Sequence, residues 1–309
     1  MSFSKHVLIC DPVDPILNKI LQDNGFKIRY SPTITNKELE LIIHDFDILI
    51  IRSRTKLTKK LIEKAHKCSI IARVGVGLDN IDLEAADKKN IDVINSAESA
   101  STAVAELVLC LLLSLSRQII KADGSIRQNK WLKKELLGSE LKGKYLGIIG
   151  LGNVGKRLSR LARGLNMNII GYDINSIDDT YAREVGLIKT DFNTLLKSCD
   201  YISLHVPLMN STYHMINQQK LSMMKKTAFL INTSRGGIID EEALYLAIKN
   251  GDLAGAALDV FENEPISQTK LTELPNVILT PHIGAQTQEA QLLAANVIAE
   301  KIIHRIKTK

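Results

Sequence analysis

The sequence predicts an α/β protein built from two doubly wound parallel sheets, and three observations carry that reading. Short apolar runs of strand type alternate with helical patterns along most of the chain, and such alternation specifies parallel strands covered by helices on both faces. A glycine-rich turn joins a strand-like Tyr145–Ile149 to a helix-like 156–165 near the middle of the chain. At 309 residues the chain exceeds the usual size of one hydrophobic core, so two domains are expected.

In the amino-terminal part, strands are predicted at 7–10, 27–30, 46–51, 70–74 and 92–94, separated by helices at 16–24, 36–44, 58–66 and 83–90. Residues 98–118 read as one long helix, apolar on most of its surface and buried on several sides. Residues 128–143 fit neither period and hold the only tryptophan, Trp131. An arm of this kind is expected to pack on a partner subunit. After 145–149 and 156–165, strands are predicted at 168–173, 201–206, 228–232, 255–258 and 277–280, with helices at 179–185, 192–198 and 241–250. The last segment, 286–309, is predicted to be a helix that returns to the first domain.

Composition narrows the function. Hydrophobic residues make up 45% and charged residues 24% of the chain, ordinary values for a soluble enzyme. The net charge of +6 comes from lysines scattered among acids, without a basic block interleaved with aromatics, so neither nucleic acid nor a membrane is an expected partner. Cys10, Cys68, Cys110 and Cys199 are far apart, which argues against a metal site and a disulfide framework, and each is expected to be a small buried residue. The amino-terminal apolar run is too short for a signal peptide and the run 107–115 too short for a membrane span, so a cytoplasmic location is expected.

The turn after Ile149 carries Gly150, Gly152 and Gly155 at G-x-G-x-x-G spacing. The first glycine permits a tight turn, the second lets a pyrophosphate approach the backbone, and the third lets the helix pack on the strand. Phosphates then meet the N–H groups at the helix start, here Asn153 and Val154. Asp173 ends the next strand, where a carboxylate accepts hydrogen bonds from ribose hydroxyls and repels a 2′-phosphate. These residues predict a Rossmann-type dinucleotide site that takes NAD.

A redox enzyme holding NAD needs a proton donor beside its substrate, and imidazole suits neutral pH. Of seven histidines, only His205 and His282 stand at carboxyl ends of predicted strands, where open α/β sheets build their crevices. His282, after Pro281 and before Gly284, is the stronger candidate. Glu262 and Glu264 are both candidates for the carboxylate that orients the imidazole and favours its protonated form, and spacing does not choose between them. Arg235 stands at a strand end beside two glycines, and its planar fork suits a substrate carboxylate.

These residues together resemble the D-2-hydroxyacid dehydrogenases over essentially the whole chain, and the phosphoglycerate-type enzymes in particular. The resemblance rests on Gly147-Ile-Ile-Gly-Leu-Gly-Asn-Val-Gly155, Asn232-Thr-Ser-Arg-Gly-Gly-Ile-Ile-Asp-Glu241, Gly255-Ala-Ala-Leu-Asp-Val-Phe-Glu-Asn-Glu-Pro265 and Pro281-His-Ile-Gly284. It implies a catalytic set of Arg235, Glu264 and His282, with hydride passing between NADH and the keto carbon while His282 supplies a proton. It implies that Asp259 contacts the nicotinamide carboxamide, with Thr233, Ser234 and Gly284 lining that end of the cofactor and His205 and Pro207 also on the cofactor. In the first domain it implies a substrate loop at Val74, Gly75, Val76 and Gly77, and phosphate contacts from Arg52, Ser53, Arg54 and Lys133, the last from a neighbouring subunit.

The resemblance further implies two Rossmann-like domains with an active-site cleft between them. The substrate-binding domain is expected at 1–97 plus 284–309, the NAD-binding domain at 98–283, and the assembly as a homodimer. The implied reaction is the oxidation of D-3-phosphoglycerate, the first step of serine biosynthesis, with glyoxylate or hydroxypyruvate reduction as the rival. A non-catalytic NAD(H) sensor is the alternative of another class. Asn153 stands where relatives carry a cationic side chain, so only backbone contacts to the pyrophosphate are expected there. Ala285-Gln-Thr287 replaces the more usual Ala-Ser-Thr. The chain also ends soon after His282, so a carboxy-terminal regulatory domain is not expected.

Overall fold

A computed structural model describes residues 5–308. The chain divides into two compact units, one of residues 1–101 and 285–309 and the other of residues 102–284.

The first unit holds β1 (His6–Ile9), α1 (Pro15–Asp23), β2 (Lys27–Tyr30), α2 (Asn36–Ile42), β3 (Ile48–Ile51), α3 (Lys59–Lys64), β4 (Ile70–Arg73), α4 (Leu83–Lys88) and β5 (Asp92–Asn95). The five strands are parallel, in the order β2-β1-β3-β4-β5. Side chains alternate across the sheet. Leu8, Leu49, Ile51 and Ile71 enter one core with α2, α3 and α4. Val7, Ile9, Ile48, Ile50 and Ile70 enter the other, closed by α1 and by Ala294, Ala295, Ile298 and Ile302 of the carboxy-terminal helix Gln288–Lys307. Local signals set the helix starts. Pro15 opens α1 after the capping carboxylate of Asp14, and Thr35 and Glu38 form a capping box on α2.

The second unit opens with α5 (Ser101–Arg117), all but its first residue, and α6 (Ile119–Arg127). Next come β6 (Tyr145–Ile149), α7 (Asn153–Gly164), β7 (Asn168–Tyr172), α8 (Asp179–Val185), β8 (Leu187–Lys189), α9 (Phe192–Ser198) and β9 (Tyr201–Leu204). The unit ends with α10 (Gln218–Leu221), β10 (Phe229–Asn232), α11 (Glu241–Lys249), β11 (Gly255–Leu258) and β12 (Val277–Leu279). Its seven strands are parallel in the order β12-β11-β10-β9-β6-β7-β8, a Rossmann order that reverses direction between β6 and β9. One face packs on α9 and α11, the other on α5, α7 and α8.

The register has a direct consequence for the site. Tyr172, Ile149, Leu204, Asn232, Leu258 and Leu279 lie side by side across the sheet. The residues that follow them, Asp173, Gly150, His205, Thr233, Asp259 and Thr280, therefore form one row at the carboxyl edge.

Several expectations change. The helix expected over 98–118 begins at Ser101 and breaks at Gln118, whose φ of 51° is left-handed; α6 then continues at a bend of 64°. The pattern hides α6 because only Ser125 of it is buried; Ile119, Ile120 and Ile126 are exposed, so its apolar residues mark no core-facing side. One-turn α10 and three-residue β8 are too short to show a period. Cys110 is exposed on α5, whereas the other three cysteines are buried as expected. No single helix among the described residues is long and apolar enough to cross a membrane; α5 and α6 together reach that length and composition, but α5 buries seven residues inside the unit.

His205 is half-buried, with protein around its ring and its Nε2 2.9 Å from Ser203 Oγ. Burial pushes its pKa down to about 4. The unfolded chain therefore binds the extra proton more readily, so this ring's contribution to stability is full above the free-imidazole value and is lost as pH falls from about 6.5 toward 4. Denaturant unfolding of the parent and of His205→Gln should give a stability difference that changes with pH in that window and is flat above it. A difference that is constant from pH 4 to 8 would refute the assignment.

Candidate active site

Gly150 follows β6 with φ 93°, and a Cβ there would lie 2.6 Å from the carbonyl oxygen of His205. A Cβ on Gly155 would lie 2.1 Å from the Gly150 carbonyl oxygen, so α7 can approach the strand only with glycine at that position. At Gly152 a Cβ would meet nothing within 4 Å, and Gly152 and Asn153 are exposed. The first N–H groups of the twelve-residue α7, from Asn153 and Val154 onward, have no intrahelical acceptors. Asp173 ties this turn to β7: its Oδ2 accepts from Leu151 N–H at 2.7 Å and its Oδ1 from Asn175 N–H at 2.8 Å. Across the row, Thr233 is buried and its Oγ1 has no hydrogen-bond partner among the described residues. The close-packed glycines, the open helix start and this unsatisfied hydroxyl fit a dinucleotide.

At the end of β10, the buried Asn232 shapes the turn that presents Arg235. Its Oδ1 accepts from Ser234 N–H and Oγ at 3.0 and 2.8 Å, and its Nδ2 donates to Arg235 O at 2.8 Å. A Cβ on the next residue, Gly236, would lie 1.8 Å from the carbonyl carbon of Phe261. Glycine there brings the Arg235 turn directly against the loop that carries Glu264.

Glu264 and His282 meet. His282 Nδ1 lies 2.7 Å from Glu264 Oε2, and Phe261 N–H donates to Glu264 Oε1 at 3.0 Å. Burial alone would raise the Glu264 pKa; the hydrogen bonds from His282 and Phe261, with the positive charges of His282 and Arg235, more than reverse this and hold it below the usual carboxylate range. The other candidate faces elsewhere. Glu262 Oε1 accepts from Glu241 N–H at 3.0 Å and lies 3.1 Å from His214 Nε2, while Glu262 N–H donates to Glu241 Oε1 at 2.7 Å.

Asp259, expected at the nicotinamide carboxamide, is fully buried, and its bonds run to the turn around His282. Its Oδ1 accepts from Thr280 Oγ1 at 2.6 Å and Ile283 N–H at 2.8 Å, and its Oδ2 accepts from Gly284 N–H at 2.8 Å. Ser234 is half-buried, Pro207 exposed and Gly284 buried; Lys133 is exposed on the irregular arm.

The first unit has its own ordered site at the ends of β3 and β4. Asp11, fully buried, accepts from Arg52 N–H at 2.5 Å, Thr55 N–H at 3.2 Å and Thr55 Oγ1 at 2.7 Å, and it pairs with Arg54 at 2.9 Å. The Arg54 guanidinium also donates to Ile34 O at 2.9 Å, to Thr55 Oγ1 at 3.2 Å and to Cys10 O. Arg52 makes one side-chain bond, to Pro12 O at 3.2 Å, and burial lowers its pKa. Ser53 is exposed. In the next loop, Val74 N–H donates to Ile51 O and Gly75 N–H to Ser96 Oγ, while Val76 and Gly77 N–H meet no protein acceptor among the described residues. The Arg73 side chain lies over Gly75, whose φ is 137°.

Sequence reasoning passed over Asp11, Ser96, Asn232 and Thr280. Each stands at or just beyond a strand's carboxyl end, the criterion that singled out His205 and His282. Applied to hydroxyls, amides and acids as well as imidazoles, it would have found them.

Comparison with known proteins bears on this geometry. The family model described as the D-isomer specific 2-hydroxyacid dehydrogenase NAD binding domain matches residues 109–284. The D-3-phosphoglycerate dehydrogenase of Methanocaldococcus jannaschii is 45% identical over 297 residues, which cover 96% of this chain and 56% of that protein. This chain thus spans little more than half of that relative. The hydroxypyruvate reductase of Thermotoga maritima is 42% identical over 303 residues, covering 97% of this chain and 98% of that one. The crystal structure of the Aquifex aeolicus D-lactate dehydrogenase, complexed with NAD and lactic acid, superposes with a TM-score of 0.85 at 30% identity, covering 98% of this chain and 96% of that one. The matched domain, the carboxyl-edge row and the full-length likeness agree: this chain belongs to the D-isomer specific 2-hydroxyacid dehydrogenases and carries the family's NAD-binding domain.

Proposed function

We propose that the chain is an NAD-dependent dehydrogenase that interconverts a D-2-hydroxy acid and its 2-keto acid. The observation that carries this reading is the 2.7 Å contact between His282 Nδ1 and Glu264 Oε2, with the positive charge of Arg235 acting on the same carboxylate. Glu264 fixes the ring through Nδ1, which leaves Nε2 to give a proton to the keto oxygen in one direction and take it from the hydroxyl in the other. Arg235 binds the substrate carboxylate through its planar fork. Bound NAD(H) supplies the hydride acceptor or donor. Gly150, Gly152, Asn153, Val154 and Gly155 bind the pyrophosphate, Asp173 the ribose, and Thr233 and Ser234 the nicotinamide end. His205, Pro207 and Gly284 complete the cofactor set in this reading, with the buried Asp259 behind them rather than on the cofactor, and the location is cytoplasmic.

Within that class the substrate is D-3-phosphoglycerate. The name carried by the Methanocaldococcus relative supports it, and so does the pair of arginines after β3. Arg54 is engaged by Asp11 and by carbonyls of its own unit, so Arg52 is the principal phosphate donor, aided by Ser53 and by Lys133 of a neighbouring copy. The N–H groups of Val76 and Gly77 bind the carboxylate in the Val74–Gly77 loop. Hydroxypyruvate reduction is the second reading, favoured by the Thermotoga relative whose whole length this chain matches.

The assembly is a homodimer. Trp131 and Leu137 on the arm are 80% and 88% exposed, and Ile119, Ile120 and Ile126 expose the outer face of α6. Beside them lies a groove of about 400 Å³ lined by Leu115, Ile120, Leu137, Phe229 and Ile278. Exposed apolar side chains grouped on the arm and α6 favour a partner, and a second copy supplies one.

Three experiments test these readings. With NADH and each of phosphohydroxypyruvate, hydroxypyruvate and glyoxylate, the parent should turn over at least one keto acid, and His282→Asn should lose about 10²- to 10⁴-fold in turnover while NADH affinity stays within threefold. Near-parental turnover in the variant sinks the mechanism, and NADH binding without turnover by the parent favours an NAD sensor. Arg52→Ala should raise KM for phosphohydroxypyruvate about tenfold or more, as expected for a lost charge-assisted bond, and change that for hydroxypyruvate little; equal effects on both would remove the phosphate contact. Sedimentation should show a dimer for the parent and a shift toward monomer for Trp131→Ala, and a monomeric parent at all concentrations would end the dimer reading.

A further inference from the structure

His282 sits at φ 54°, in the left-handed region that a residue with a Cβ enters only when its surroundings hold it there. An otherwise unremarkable turn would relax out of this conformation and carry the imidazole away from Glu264. The restraint comes from one buried carboxylate. Asp259 accepts Thr280 Oγ1 on the amino-terminal side of His282, and Ile283 and Gly284 N–H on its carboxy-terminal side, at 2.6, 2.8 and 2.8 Å. The anchoring extends into the sheet, where Asp259 N–H donates to Asn232 O and Thr280 N–H to Leu258 O, both at 2.9 Å. Within the turn, His282 N–H donates to Thr280 O at 3.0 Å.

The chemistry of the anchor is specific. Three donors converge on two oxygens, and an ionised carboxylate can accept all three, whereas an amide in its place would turn one N–H toward another. The three bonds also offset the cost of enclosing the charge. Gly284 completes the fit, since a Cβ there would stand 3.1 Å from Asp259 Oδ2.

We propose that Asp259 and Thr280 act as a latch that holds the His282 backbone left-handed and so keeps Nδ1 on Glu264. Both are positioning residues, and Thr280 gains a role that its motif did not announce. The inference rests on the reading of His282 as proton donor, yet the latch has a readout independent of turnover.

The test is Thr280→Val, which removes the hydroxyl at similar volume, beside Thr280→Ser, which keeps it. Amide hydrogen exchange at Ile283 and Gly284 should quicken about tenfold in Thr280→Val, keto-acid turnover should fall by about the same factor, and NADH affinity should stay within threefold. Thr280→Ser should restore both exchange and turnover. Unchanged exchange in Thr280→Val, or the same loss in both variants, overturns the latch. Asp259→Asn should show the larger effect in exchange and turnover; if it does not fold, the threonine pair still decides. Inactivity of the parent on every keto acid would end the dehydrogenase reading, whereas the exchange rates would still report on the latch.

Discussion

Parallel strand pairing is the constraint on which the second unit depends. Because all seven strands run one way and pair in register, Tyr172, Ile149, Leu204, Asn232, Leu258 and Leu279 end abreast. Every loop that leaves the sheet at that edge starts from the same line. The Asp173 carboxylate, the glycine turn, the half-buried His205 imidazole, the arginine-bearing turn and the anchor of the His282 turn are thus gathered without any one loop having to be long. Helices on the opposite faces stabilise the register by burying alternate residues, Ile149 toward α9 and α11 and Ile148 toward α5, α7 and α8. A slip of one residue in any strand would exchange those faces and displace its site residue from the row at the same time. Core and site are therefore specified together.

The electrostatics of the His282 neighbourhood follow from how tightly its loops pack. Gly236 lets the Arg235 turn touch the loop at Phe261, and this brings a guanidinium toward Glu264. The same closeness collects carboxylates. Burial raises the pKa of Glu241, and the neighbouring charges of Glu262 and Glu264 raise it further, while the Glu262 N–H bond and His214 work against them. Glu264 escapes that upward pull because two hydrogen bonds and two positive charges act on it. Two His–Glu pairs, His282 with Glu264 and His214 with Glu262, therefore use glutamates of one loop, with different consequences. The first is poised beside the arginine, and the second ties the loop to the start of α11 through Glu241.

Much of this was legible in the residue order. Alternating apolar runs marked nearly every strand because parallel strands buried on both faces are continuous apolar segments, and the glycine spacing located the tight turn after β6 because only glycine tolerates the approach of Gly150 to His205 and of Gly155 to Gly150. Hidden elements share a cause. β8 and α10 are shorter than the period that would reveal them, and α6 buries only Ser125. The choice between Glu262 and Glu264 was equally closed to spacing, since both lie in one loop and are separated by which way the loop turns against α11. Asp259 shows the remaining limit. The family resemblance implied a cofactor contact for it, but the donors that converge on it come from residues 280–284, a long-range meeting that no local pattern carries.

The first unit shows why residue type alone does not assign a binding role. Arg52 and Arg54 are alternate residues after the same strand, and by charge they are interchangeable phosphate ligands. Asp11 separates them. It is fully buried, so its carboxylate needs compensation, and the Arg54 guanidinium pairs with it directly while Arg52 gives its backbone N–H and acts on it through charge without an ion pair. The guanidinium of Arg54 is further occupied by the carbonyls of Cys10 and Ile34. Recruiting it to a substrate would leave a buried carboxylate without its counter-charge, a cost that an incoming anion would have to offset before gaining anything. Arg52 makes no such ion pair among the described residues: burial lowers its pKa while the charge of Asp11 works against this, and its side chain donates to the Pro12 carbonyl at 3.2 Å. The unit thus ties one of the two guanidinium groups into its own loop and leaves the other outside that ion pair, a division set by the aspartate just beyond β1.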